Sequence, residues 1–164
     1  MKKTILFLSM VFFLAATVLF AVQFKTVTAK KFNIQFKIPA DWETETENDA
    51  DVPSMISTSP DEDIVLVGYV YKDSDISTEE LFDQAVEDLE MELEGEAEET
   101  EINGMLAWIG VGAGDIEGVE AGIAMMAATY KDNNYVVYIF TAADAFEDNA
   151  DLMEENVTSF TPID

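Results

Sequence analysis

The stretch Ile64-Val65-Leu66-Val67-Gly68-Tyr69-Val70-Tyr71 decides the fold class of this chain, together with the segment that follows it. Its side chains are almost all apolar, and many are β-branched or aromatic, which is typical of a strand covered on both faces. Shortly afterwards, Ser77 opens a segment that runs to Glu94 with the periodicity of an amphipathic helix. A buried strand followed by such a helix indicates a protein in which helices pack on a sheet.

The helix predicted over 77–94 has a clear start and a continuous apolar stripe. Ser77 and Glu80 have the spacing of a capping box, in which each side chain accepts a hydrogen bond from a free backbone N–H of the first turn. The stripe recurs with helical spacing and consists of Phe82, Ala85, Val86, Leu89 and Leu93. The opposite face is almost wholly acidic, so like charges lie four residues apart and packing of the stripe must offset their repulsion. Gly95 is the predicted stop.

Strands are predicted on both sides of this pair. Residues 32–38 alternate apolar and polar side chains, which is the period of a half-buried strand. Asn103-Gly104 lies between two short apolar runs and is a strong hairpin signal. Further strands are predicted at 54–59, 119–130 and 135–141, and a last helix follows with Asp144 as its cap. The order predicts an α+β domain in which helices face an antiparallel sheet.

Two segments have less regular predictions. Residues 43–53 carry an acid at nearly every second position, which on a strand would place like charges on one side, so we expect an exposed, irregular or weakly extended segment. The glycines from Gly110 to Gly118 predict a flexible loop. They do not fit the dinucleotide fingerprint, because Asp115 and Glu117 occupy the positions where a further glycine is needed.

The composition excludes several classes of function. The 164 residues include 34 acids and 8 lysines but no arginine, histidine or cysteine, and the formal net charge is −26. From Lys30 onward the net charge is −29, which repels nucleic acid. The missing residue types exclude disulfides, thiolate chemistry, histidine-assisted nucleophiles and the usual zinc ligands. We therefore expect no nucleic-acid partner and no enzymatic activity. A carboxylate-based hydrolase ranks a distant third, behind the two binding functions given at the end of this section.

The first 29 residues have the pattern of an export signal. Lys2 and Lys3 precede an uncharged apolar run over 4–24, and small residues allow cleavage after Ala21 or after Ala29. The alternative is an uncleaved anchor, in which 4–24 would be the only contact with the membrane. Either reading places a single acidic domain, residues 30–164, outside the cytoplasm, in the periplasm or secreted. No cysteine follows the apolar run, so a lipoprotein anchor is excluded.

The arrangement of these segments over about 32–163 resembles the PsbP-like domains of extracytoplasmic bacterial proteins, relatives of the photosystem extrinsic subunit PsbP. The features that carry the resemblance are Pro39-Ala40-Asp41-Trp42 after the opening strand, Tyr69 and Tyr71 before the helix, the Asn103-Gly104 hairpin, the strands around Tyr130 and Tyr135, and Ser159-Phe160 after the last helix. The resemblance implies an α/β/α sandwich with a central antiparallel sheet and a non-enzymatic role in binding or assembly. No functional residue is carried over from it.

Calcium is the one cofactor that the residues themselves suggest. Hard cations take oxygen ligands, and Asp115, Glu117 and Glu120 lie in or beside the glycine-rich segment, whose carbonyls can fold around an ion. Neither they nor the other acidic clusters match an EF-hand loop. The two tryptophans, Trp42 and Trp108, are expected in the core. The primary hypothesis is thus an exported, non-catalytic module that binds a protein or envelope component without a cofactor. The alternative is a calcium-dependent binding protein.

Overall fold

The computed structural model describes residues 22–72, 75–116 and 118–163. The two α-helices are α1 (Thr78–Asp88) and α2 (Phe146–Thr158). Short 3-10 turns cover Lys30–Phe32 and Ala143–Ala145. The strands are β1 (Phe24–Ala29), β2 (Ile34–Pro39), β3 (Glu43–Glu47), β4 (Ser54–Thr58), β5 (Ile64–Lys72), β6 (Glu92–Leu93), β7 (Glu98–Ile102), β8 (Met105–Ile116), β9 (Val119–Tyr130), β10 (Asn133–Ala142) and β11 (Thr161–Pro162).

The strands form two sheets, and all pairings among the described residues are antiparallel. The large sheet has the order β3-β4-β5-β10-β9-β8-β6, and β7 also pairs with β8. The small sheet has the order β1-β2-β11. The predicted hairpin is confirmed, because Ile102 pairs with Met105 across Asn103 and Gly104, which have φ angles of 51° and 85°. Positive φ at both central residues is the backbone that Asn-Gly favours.

Side chains of the central strands alternate between two cores, one on each face of the large sheet. In β9, Ile123, Met125 and Ala127 belong to the core under α1, whereas Ala124 and Met126 belong to the core under α2. The small sheet packs on the same side as α2, since Ile34, Phe36 and Ile38 share that core. The result is the predicted α+β architecture, an α/β/α sandwich in which the small sheet widens one outer layer.

The core under α2 contains three buried phenylalanines, Phe32, Phe36 and Phe160. Phe36 of the small sheet stacks on Phe160, with 4.6 Å between the ring centroids. The Tyr135 hydroxyl donates a 2.8 Å hydrogen bond to the backbone carbonyl of Phe32, so this buried polar group is satisfied. Trp42 is buried in the same core, as predicted, whereas Trp108 is only partly buried and packs against the other core.

The small sheet includes a segment that the sequence assigns to the export signal. β1 pairs along its whole length with β2, from Phe24 opposite Pro39 to Ala29 opposite Ile34. The backbone N–H of Ala40 also donates a 2.6 Å hydrogen bond to the Gln23 carbonyl. Residues 1–21, with most of the predicted apolar run, lie outside the described residues. Among the described helices, neither is long and apolar enough to cross a bilayer.

Helix α1 is shorter than predicted. Its Ser77 cap is confirmed, since the hydroxyl accepts a 3.1 Å hydrogen bond from the Glu80 N–H, but the helix ends at Asp88 rather than Glu94. Its last turn has no basic residue to offset the acids, and Glu90 adopts a left-handed φ of 47°. The chain then turns so that Glu92 and Leu93 pair with β8. Residues predicted to form the last turn of the helix therefore lie in a short strand at the edge of the sheet.

The glycine-rich segment is a strand, and the prediction of a flexible loop was wrong. Gly110, Gly112 and Gly114 all lie in β8 and point towards α1 and the chain that follows it. A Cβ on Gly112 would lie 2.1 Å from the Glu92 carbonyl oxygen, and one on Gly114 would lie 2.8 Å from the Leu89 carbonyl oxygen. These glycines are needed because another segment of backbone packs directly on the strand.

Two smaller predictions also change. The acids at 43, 45 and 47 lie on β3, a strand at the edge of the large sheet, where solvent accommodates their charges and discourages pairing with other chains. Asp144 lies in a 3-10 turn, and the residue before α2 provides no side-chain cap.

Candidate functional site

Helix α1 covers only part of its face of the large sheet. It packs on β8, β9 and β10, and the face of β5 that points the same way continues beyond it. There, Val67 lies opposite Tyr138 and Val65 lies opposite Phe140, so these four side chains share one face. The prediction that the strand at 64–71 is covered on both faces was therefore wrong. One face is buried under the α2 layer, and the other is left partly open.

The open half of this face forms what we call the aromatic groove, defined by Val65, Tyr69, Tyr71, Tyr138 and Phe140. All five side chains are partly exposed. The ring of Tyr138 lies 6.4 Å from that of Tyr69 and 6.2 Å from that of Phe140, measured between centroids. Partly open aromatic surface of this kind is enriched at sites where proteins bind partners.

The groove contains two adjoining cavities. The first, of about 380 Å³, lies between the tyrosines and α1, and its helix side includes Gln84 and Asp88. The second, of about 560 Å³, lies farther from the helix, among Val65, Phe140 and neighbouring apolar side chains. Tyr69 and Tyr138 line both cavities and so connect them.

Two phenols in the groove, those of Tyr71 and Tyr138, stay neutral over the physiological range. Burial, with smaller effects from Tyr69 and Asp88, raises the pKa of Tyr71. Burial also raises the pKa of Tyr138, and a hydrogen bond with Tyr69 adds to this effect. A neutral tyrosine offers an aromatic face and a hydroxyl that donates and accepts hydrogen bonds.

Carboxylates border both cavities. Asp88 lies on the helix side of the first, and Glu62 and Asp63 border the second. These two acids follow Asp61, whose carboxylate accepts a 2.6 Å hydrogen bond from the Ser59 hydroxyl; that bond lowers the pKa of Asp61. Among the described residues that line the two cavities, none is basic. The groove therefore combines aromatic faces with negative charge.

The proposed calcium ligands lie elsewhere, at the far end of the β8–β9 hairpin. Asp115 and Glu120 are exposed and directly opposite each other across the two strands. Asp115 Oδ1 accepts a 2.6 Å hydrogen bond from the Gly118 N–H, while Glu117 lies outside the described residues. Within the described ranges no three acidic residues come close enough to hold a metal ion. The calcium site stays a prediction.

The groove residues were not predicted from the sequence, because the strand at 64–71 was expected to be covered on both faces. One signal was available: tyrosine recurs at alternate positions in β5, at Tyr69 and Tyr71, and aromatic residues do so in β10, at Tyr138 and Phe140. A tyrosine can bury its ring and keep its hydroxyl in water. Two such pairs on adjacent strands indicate a face that is only partly covered.

Comparison with known proteins supports the fold. No protein-family profile matches the sequence, and no curated relative matches it. The structure is similar to the cyanobacterial PsbP protein, CyanoP, of Synechocystis sp. PCC 6803, with a TM-score of 0.66 and 15% identity over 88% of this chain and 95% of that chain. The chain has a PsbP-like fold. The α/β/α resemblance predicted from the sequence is thereby confirmed.

Two further structures share the arrangement. LpqN, described as involved in cell envelope biogenesis of Mycobacterium tuberculosis, has a TM-score of 0.58 and 16% identity over 87% of this chain and 91% of that chain. A protein from Bacteroides thetaiotaomicron has a TM-score of 0.57 and 12% identity over 85% of this chain, but over only 48% of its own length. These TM-scores establish a common PsbP-like fold. At identities this low, the function has to be argued from the site.

Proposed function

We propose that this protein is an exported, non-catalytic binding or assembly module, and that a partner protein or envelope component docks on the aromatic groove. The export signal predicted over 1–29 supports the location, and so does the similarity to LpqN, which is described as involved in cell envelope biogenesis. The partner docks outside the cytoplasm, and the chain acts by holding it.

The observation that carries the proposal is the unequal covering of the large sheet. Under α2 most of the sheet is buried in a continuous core, with one cavity of about 380 Å³ between β8 and α2, whereas beside α1 the side chains of Tyr69, Tyr138 and Phe140 line two adjoining open cavities. Contiguous aromatic surface exposed to water is costly and in soluble proteins commonly marks an interaction site. The groups in the groove are phenols, apolar chains, an amide and carboxylates, which is chemistry suited to recognition.

Photo-crosslinking in cells tests this proposal. A photoreactive phenylalanine analogue at Tyr69 places the reactive group in the groove, and the same analogue at the exposed residue Glu155 on α2 is the control. We expect a discrete extracytoplasmic adduct from position 69 and none from position 155. Equal adducts from both positions, or a chain found only in the cytoplasmic fraction, would contradict the proposal.

One observation favours calcium-dependent binding as a second candidate function. Asp115 and Glu120 lie directly opposite each other, and like charges in that position repel unless a cation neutralises them. Melting curves in calcium and in sodium chloride of matched ionic strength test this function, because a specific site gives a calcium-specific rise in stability. Identical curves would remove it.

A further inference from the structure

The smaller cavity of the aromatic groove has the chemistry of a site for an organic cation. Tyr69, Tyr71 and Tyr138 contribute aromatic rings to its walls, and Asp88 contributes a carboxylate from the end of α1. An alkylammonium group is attracted to the negative face of an aromatic ring and to a nearby carboxylate. The attraction to the rings strengthens where water is partly excluded, as beside the partly buried Tyr71 and Tyr138 in this cavity of about 380 Å³, whereas Asp88 is exposed at its rim.

The phenols of Tyr71 and Tyr138 contribute no charge of their own to the cavity. Because burial raises the pKa of Tyr71 and that of Tyr138, both rings stay neutral when the cation binds. Their electrostatic contribution is that of the ring faces, and the negative charge at the cavity comes from Asp88. A cation–π site with one carboxylate selects a positively charged group over a neutral group of the same shape.

We propose that this cavity takes the alkylammonium group of a lysine from a basic segment of the partner protein. The inference rests on the proposed function, since it names the chemistry of the partner that docks on the groove. The neighbouring cavity of about 560 Å³ supports a segment over a free cation, because it continues the site past Tyr69 and Tyr138 to Val65 and Phe140. An apolar side chain of the same segment fits there.

Charge favours a basic protein over a membrane surface. The chain has a formal net charge of −26, and Glu62 and Asp63 border the second cavity. Bacterial and organellar membranes with anionic lipids repel such a body, whereas a lysine-rich segment is drawn to it. Long-range attraction also accelerates docking, and salt weakens it because the Debye length is only about 8 Å at physiological ionic strength.

The test is a titration of the purified protein with two labelled peptides, followed by fluorescence anisotropy. One peptide alternates lysine and leucine, and the other replaces each lysine with glutamine. We expect the lysine peptide to bind and the glutamine peptide to bind at least about tenfold more weakly. The Asp88→Asn variant should weaken the lysine peptide by about fivefold or more, since it removes the charge in the cavity.

A matched variant separates the effect of the carboxylate in the cavity on affinity from the effect of the net charge. Asp83→Asn removes the same charge from an exposed position on the same helix, outside the cavity lining, and should change affinity by less than about twofold. Tyr71→Leu should weaken binding like Asp88→Asn, whereas Tyr71→Phe, which keeps the ring face, should stay within about twofold of the wild type. Equal losses from Asp88→Asn and Asp83→Asn would overturn the inference.

Two further probes identify the source of the cation. Tetramethylammonium chloride tests a free organic cation, and phosphatidylcholine vesicles test a lipid headgroup. Binding of either that depends on Asp88, without binding of the lysine peptide, would overturn the assignment to a protein segment. If no probe binds but position 69 crosslinks in cells, the inference fails and the proposed function stands. If position 69 also gives no adduct, both fail.

Discussion

The two faces of the large sheet differ in how they are covered and in which aromatic residues they carry. On the face under α2, Phe36 and Phe160 are buried within a continuous core. On the face beside α1, Tyr69 and Tyr138 remain partly exposed. The first face therefore carries the larger of the two buried cores. The second leaves aromatic surface partly exposed, and the hydroxyls of its tyrosines let that surface tolerate water.

Tyr135 shows how a tyrosine on the covered face differs from those in the groove. Tyr135 lies on the covered face, but its hydroxyl donates a hydrogen bond to the Phe32 carbonyl, so it behaves as part of the core. Burial raises its pKa as well, despite an opposing hydrogen bond from Asn133. Tyr135 therefore belongs to the packed core, whereas Tyr69 and Tyr138 are partly exposed and line an open cavity.

The largest effect is expected from removing β1, because it belongs to the layer that seals the covered face. A chain that starts at Lys30 loses the whole ladder between β1 and β2. We expect it to unfold at a much lower urea concentration than a chain that starts at Val22. Export cleavage should accordingly occur after Ala21, which intact mass measurement of the exported protein checks. A mature chain starting at Lys30 with undiminished stability would contradict this prediction.

The next effect compares the same substitution on the two faces. Phe36→Ala removes a fully buried ring from the covered face and should lower the free energy of unfolding by about 3–5 kcal/mol. Phe140→Ala removes a half-buried ring from the groove and should cost less than half as much. Urea unfolding measures both. Equal losses would show that the groove is as important for stability as the core.

The overall architecture was predictable because local patterns and long-range packing agree in it. The strand at 64–71, the Ser77 cap and the Asn103-Gly104 hairpin each have a signal within a few neighbouring residues. The α+β class follows from their order, and the resemblance to PsbP-like domains implies the α/β/α arrangement. The end of α1 was not predictable in this way, since Glu92 and Leu93 leave the helix to pair with a strand far along the chain.

The groove and the glycine-rich strand were missed for the same reason. Nothing in the sequence around Gly112 indicates that the backbone at Glu92 packs against it. Likewise, an apolar strand does not reveal how much of one face a short helix will cover. Burial of Tyr69 or Tyr138 depends on where α1 ends, which is a tertiary property.

The third prediction tests the close approach on β8. Gly112→Ala places a Cβ against a backbone oxygen that cannot rotate away, and we expect a loss of about 1–3 kcal/mol. Gly110→Ala meets only the side chains of Phe82 and Leu93, at 2.9 Å each, which can shift, so its loss should be smaller. Thermal unfolding ranks the two variants. A larger loss for Gly110→Ala would mean that side-chain packing on this face is the tighter constraint.

The smallest effect concerns Asp115 and Glu120 at the hairpin end, where both side chains are exposed. Glu120→Gln removes the carboxylate opposite Asp115 and, without calcium, should raise the free energy of unfolding by about 0.2–1 kcal/mol. The control is Glu101→Gln, which removes the same charge opposite the apolar residue Leu106. It should have a smaller effect, because only the net charge changes.

Calcium then separates repulsion from binding at the same pair. If Asp115 and Glu120 hold an ion, the wild-type protein gains about 2.7 kcal/mol at a calcium concentration one hundred times the dissociation constant. The Glu120→Gln variant loses most of that gain, and Glu101→Gln keeps it. Because sodium at matched ionic strength screens all three proteins alike, only the difference between calcium and sodium reports a site. A gain that is the same in all three proteins assigns the carboxylates to a solvated surface.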